Sequence, residues 1–87
     1  MKTYRISGSI VTRERSAGNS SCVTKELNSI LKVLNDDMAL MFYQNMVNDN
    51  RTSATISLNI VLEEGYIEDN RFRPTRIVLE CSDTDAS

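Results

Sequence analysis

The chain has no histidine and no tryptophan, one proline, three glycines and two cysteines among its 87 residues. The missing histidine removes the commonest general base, the side chain that titrates near neutral pH and the commonest metal ligand. Cys22 and Cys81 stand far apart and form no CxxC or other ligand-like spacing, so neither a metal site nor a disulfide framework is indicated. No long hydrophobic run is present. The longest, Met38–Tyr43, is six residues, against the roughly 20 needed to span a bilayer. Residues Met1–Ile10 alternate polar and apolar without an apolar h-region, which predicts no secretory signal and a cytoplasmic location. In that setting the glycosylation-like triplets Asn19-Ser20-Ser21 and Asn50-Arg51-Thr52 read as chance matches. Neither charge dominates: ten basic and twelve acidic side chains leave a net charge of −2. That balance gives no general attraction for nucleic acid and falls far short of the dense acidity of a DNA mimic.

What is present reads as one small globular domain. Hydrophobic residues at 40% and charged ones at 25% are ordinary globular values. A chain of this size buries only about 60–65% of its unfolded surface, so the core is thin. Residues 1–82 are expected to form the domain, and 83–87 a frayed acidic tail.

The alternation of Tyr4, Ile6, Gly8 and Ile10 with Arg5, Ser7 and Ser9 predicts a half-buried strand over Thr3–Arg13. The small polar segment Ser16–Ser21 reads as a loop. Val23, Leu27, Ile30, Leu31, Leu34, Met38 and Met41 recur at spacings of three and four, predicting one long amphipathic helix of about 36 Å to Asn48. Asn35-Asp36-Asp37 is the point where that helix would bend, or where a second helix over Met38–Asn48 would be capped. Ala54, Ile56, Leu58, Ile60 and Leu62 alternate with Thr55, Ser57, Asn59, Val61 and Glu63 in a second strand. Tyr66–Asn70 reads as an acidic loop, and a last strand over Pro74–Ser82 points Thr75, Ile77, Leu79 and Cys81 inward. The fold class is therefore α+β, in the order β-α-β-β: one long, bent or broken helix on a three-stranded, mainly antiparallel sheet of order 1-3-2.

No catalytic constellation appears. The adjacent carboxylates Asp36-Asp37, Glu63-Glu64 and Glu68-Asp69 lack calcium-loop spacing, and neighbours on a strand point apart, so they form no acid/base pair. Two surfaces stand out instead. The sheet face opposite the helix would carry Arg5, Val61, Arg76 and Val78 among polar residues. The helix around Met38–Val47 is apolar nearly all round, so Leu40, Tyr43 and Val47 would point away from the Leu34–Met38–Met41 stripe. A weaker candidate is an anion site at Gly18, Ser20, Ser21 and Lys25, where small residues would enter a helix N-terminus.

The reading that follows is a non-enzymatic regulator or inhibitor that needs no cofactor or metal. It would occlude another protein, or pair with itself, through the sheet face or the apolar helix. Its size and Asn content also suit the occluding proteins of phages and mobile elements. The alternative is a nucleic-acid or nucleotide-binding module using Arg13, Arg15, Arg71, Arg73 and the Ser16–Ser21 loop.

Overall fold

The computed structural model describes residues 1–16 and 18–84. Its elements are β1 (Lys2–Ser16), β2 (Asn19–Val33), α1 (Asp36–Asn50), β3 (Thr55–Glu68) and β4 (Arg71–Thr84). The four strands form one sheet in the order β2-β1-β3-β4, with every neighbouring pair antiparallel. Two hairpins, β1–β2 and β3–β4, are thus joined side by side, and α1 carries the chain across one face from the outer strand β2 to the inner strand β3.

The expected three-stranded sheet of order 1-3-2 under a long helix is overturned. Residues 19–33, expected as loop and first half of the helix, are an edge strand. The reason lies in the spacing. Val23, Leu27 and Leu31 are four residues apart, which suits one face of a helix and equally one face of a strand, since four is a multiple of two. Ile30, counted in the helical stripe, pairs with Arg5 on the other face of the sheet. The added strand reverses the chain before the helix. It makes β1 and β3 antiparallel neighbours and sends the last strand to the edge.

The helix is accordingly only Asp36–Asn50. Asn35 is its cap: it has extended backbone, and its side chain accepts the Met38 N–H at 3.0 Å. Asp36 and Asp37 in the first turn complement the positive end of the helix dipole. The loop expected at Tyr66–Asn70 is shorter. β3 runs to Glu68, and Asp69 and Asn70, with φ of 53° and 62°, make a two-residue turn of the kind that follows the twist of a hairpin. β4 continues through Thr84, so Asp83 belongs to a strand; the rest of the expected tail lies outside the described residues.

Cross-strand partners share a face, so the pairing defines two surfaces. Beneath the helix lie the rows Leu31–Tyr4–Glu64–Arg76, Ser29–Ile6–Leu62–Leu79 and Leu27–Gly8–Ile60–Cys81. On the open face lie Ile30–Arg5–Glu63–Ile77 and Asn28–Ser7–Val61–Glu80. Shifts of register at Leu62/Glu63 and Glu64/Gly65 place Val78 and Thr75 as extra residues in β4. A bulge of this kind breaks the two-residue period. Arg76, expected on the open face, therefore sits on the helix side. Ile77, expected inward, is on the open side, and Val78 packs against the core.

The core is Tyr4, Ile6 and Ile10 of β1, Val33 of β2, Leu58, Ile60 and Leu62 of β3, and Ala39, Tyr43 and Val47 of α1. Tyr43 fixes the helix to the sheet: its ring is buried and its hydroxyl donates to the Ile60 carbonyl at 2.7 Å. Gly8 allows β1 to approach β3. A Cβ there would stand 1.9 Å from the Asn59 carbonyl oxygen, on a backbone with φ of +155°.

Two variants test this packing by denaturant unfolding. Tyr43→Ala should lose about 3–5 kcal/mol of stability, the range for emptying a buried aromatic site. Gly8→Ala should lose about 1–3 kcal/mol through overpacking. Full stability in Gly8→Ala would show that the strands do not meet closely there.

Candidate functional site

The helix presents a different face to solvent from the one expected. Tyr43 and Val47 are buried against the sheet and Leu40 is half-buried beside them. The end of the stripe expected to face the sheet points outward instead: Leu34, just before the cap, is 63% exposed, Met38 37% and Met41 67%, and Phe42 beside them is 50% exposed. One hundred degrees of rotation per residue explains the inversion. Ala39, Tyr43 and Val47 fall on one line, and Met38 and Met41 lie nearly opposite. Met38, Met41, Phe42 and Asn45 enclose a shallow, almost wholly apolar cleft of about 220 Å³. Sequence periodicity shows both apolar lines; the small Ala39, one turn before Tyr43 on the buried line, is the sign of which one packs closely.

Where α1 starts, four elements meet through charge. Asp36 accepts the Tyr4 hydroxyl at 2.5 Å and Arg76 Nη2 at 2.8 and 2.9 Å. Arg76 also donates to Glu64, at 2.6 Å from Nη2 and 3.1 Å from Nε. The Tyr4 hydrogen bond, then Arg76, holds the Asp36 carboxyl below its ordinary value, and these carboxylates raise the Arg76 guanidinium. Burial, aided by Asp36, pushes the Tyr4 phenol up from 10.0 to about 12. Burial likewise pushes Tyr43 up to about 12. Arg76, named as a contact for a partner, is thus already engaged within the fold.

The open face holds the rest of the predicted contacts. Arg5 is half-buried, donates to Glu63 at 2.8 Å and stands 4.7 Å above the Phe72 ring. Phe72, paired with Ile67, lies on this face, and its ring can pass over Gly65 because that residue has no side chain; a Cβ there would stand 2.7 Å from the ring. Val61 lies half-buried in the next row. Arg5, Ile30, Ile67, Arg71 and Phe72, with Asn28 and Asn70, surround an open cleft of about 420 Å³.

The residues of the anion candidate do not form the expected site. Gly18 belongs to the β1–β2 turn, Ser20, Ser21 and Lys25 are in β2, and no helix begins beside them. Lys25 donates to Asn50 at 3.3 Å. The arginines of the nucleic-acid alternative divide between two projecting hairpin tips. Arg13 and Arg15 lie where β1–β2 outruns β3, and Arg71 and Arg73 where β3–β4 outruns β1, at opposite ends of a molecule 49 Å long. Among the described residues, no group of three or more Cys, Asp or Glu is placed to hold a metal ion, and no helix is long and apolar enough to cross a membrane.

No family model, no curated protein and no solved structure matches the chain.

The ionisations set two limits on stability. A phenol with a raised folded pKa stabilises fully below pH 10.0 and loses that contribution as pH climbs through about 12, so the thermal midpoint should fall across that interval, with phenolate absorbance rising as the fold is lost. The depressed Asp36 carboxyl acts in the opposite direction. It stabilises above its ordinary 3.8, and the contribution disappears as pH falls through the lower folded value. Asp36→Asn should flatten that acid limb and, because Asp36 also helps raise Tyr4, weaken the alkaline one only in part, since burial still raises both phenols. An unchanged acid limb would show that the junction contributes nothing.

Proposed function

We propose that this chain is a small, non-enzymatic protein-binding module that occludes a surface of its partner, with the outer face of α1 as the principal contact. The observation that carries the reading is the exposed group Met38, Met41 and Phe42 on α1, with Leu34 exposed just before its cap. Scattered exposed apolar residues are normal, but a contiguous group on one helix face around an apolar cleft marks an interaction surface. Methionine suits such a face because its flexible thioether adapts to the shape it meets. The fold supports the same reading, since α1 takes up one side of the sheet and, among the described residues, no element covers the other. The two basic tips offer no continuous strip for a nucleic-acid backbone, and Phe72, the aromatic on the open face, is held by Arg5 rather than displayed for base stacking.

Met41→Asp with Phe42→Ser alters exposed side chains and should move the thermal midpoint little, since surface changes usually stay within about 0.5 kcal/mol. Light scattering on the pure protein and affinity capture from its native lysate are the measurements. Loss of a captured protein, or of a homodimer, in this variant is the expected result. Capture that is equal for the native chain and the variant would place the contact elsewhere.

A further inference from the structure

We propose that the cleft on the open sheet face binds a carboxylate joined to an apolar group. Arg5 and Arg71 line the cleft with Asn28 and Asn70, and among the described residues no Asp or Glu is part of its lining. Arg5 is held in place before any ligand arrives: Glu63 fixes one edge and the Phe72 ring one face, and its Nε–H is buried without a partner. A guanidinium already ordered loses little freedom on binding and presents its remaining donors in a fixed fork. Arg71, at the start of β4, makes no ion pair among the described residues.

The charge balance selects the ligand. Two guanidinium groups against the single carboxylate of Glu63 leave one positive charge, which suits a monoanion better than a phosphate dianion. Glu68, the cross-strand neighbour of Arg71, and Asp69 lie on the same arm outside the lining, with Arg73 to oppose one of them. The positive surplus is therefore confined to the cleft itself, which weighs against a dianion. Ile30, Ile67 and Phe72 form the remaining wall, so the anion has an apolar neighbour. A chain-terminal carboxylate beside an apolar side chain, or an acidic side chain followed by an apolar residue, carries both groups. The site is separate from the outer face of α1, and either can fail without the other.

The test is an amide-resolved NMR titration of the full chain. N-acetyl-phenylalanine presents a terminal carboxylate, and N-acetyl-glutamyl-leucinamide a side-chain one. Saturable shifts at Arg5, Asn28, Asn70, Arg71 and Phe72 are expected with at least one probe, and the tighter of the two identifies the source. Acetate should bind at least fivefold more weakly, and the neutral N-acetyl-phenylalaninamide at least tenfold. Arg71→Gln, an exposed substitution, should weaken the better probe at least fivefold with an unchanged thermal midpoint. The proposal is overturned by absent or non-saturable shifts, by equal binding of the neutral amide, by an Arg71→Gln variant that binds like the native chain, or by inorganic phosphate binding more tightly than either carboxylate.

Discussion

A single helix of fifteen residues has to bury one face of four strands. The rest of the architecture answers to that constraint. The helix meets it by lying along the middle of the sheet, where Ala39 permits close approach and Tyr43 both fills the interface and bonds to the Ile60 carbonyl. Coverage is incomplete toward β4: Leu79 stays more than a third exposed, and an open groove of about 620 Å³ runs between α1 and that strand, with Arg51 and Asp83 bridging 3.3 Å at its margin. The ion-pair junction at Asp36 then fixes the angle at which the helix leaves β2. It uses groups only partly withdrawn from water, so its value is chiefly orientational.

The two faces of the molecule divide apolar surface differently. On the helix side, the sheet takes Tyr43 and Val47 and leaves Met38, Met41 and Phe42 to solvent. On the other side, Ser7, Ser9, Ser57 and Asn59 are small and polar and stand wetted, as antiparallel sheets allow. The larger apolar side chains on that side, Ile30, Ile67 and Phe72, gather at one end with Arg5, while Val11 and Val61 are spread along it. Gly65 lets the Phe72 ring pass over β3 there.

Legibility in the sequence varied with how many periods a segment could satisfy. β1 and β3 were plain because Tyr4, Ile6 and Ile10, and Leu58, Ile60 and Leu62, alternate strictly, and a helix would scatter them. Most of β2 carries a helical pattern because Val23, Leu27 and Leu31 satisfy both periods, and hydrogen-bonding to β1, a long-range property absent from the segment itself, makes it a strand. Asn35 was visible as a cap, yet the continuous apolar stripe outweighed it. The bulges at Val78 and Thr75 left no local sign, and each moved its neighbours to the opposite face; Arg76 was misplaced for that reason alone. For the candidate contacts, apolar composition marked α1 correctly as carrying more than the sheet can bury. Which line of side chains is surplus depends on the helix's rotation about its axis, and that is set by packing partners up to the far end of the chain.

The β1–β3 ladder joins residues from 43 positions apart, at Thr12 and Thr55, to 62 apart, at Thr3 and Gly65, whereas each hairpin pairs residues within its own half. The molecule is thus two local units held by one distant seam, with α1 as the tether between them. Each hairpin can zip from its own turn with little loop-closure entropy. The seam forms only after the tether has brought the halves together. Gly8 and Tyr43 both lie on that seam, one permitting the strands to meet and the other bolting the tether across them, so the same few atoms that complete the core also govern how fast the chain can find it.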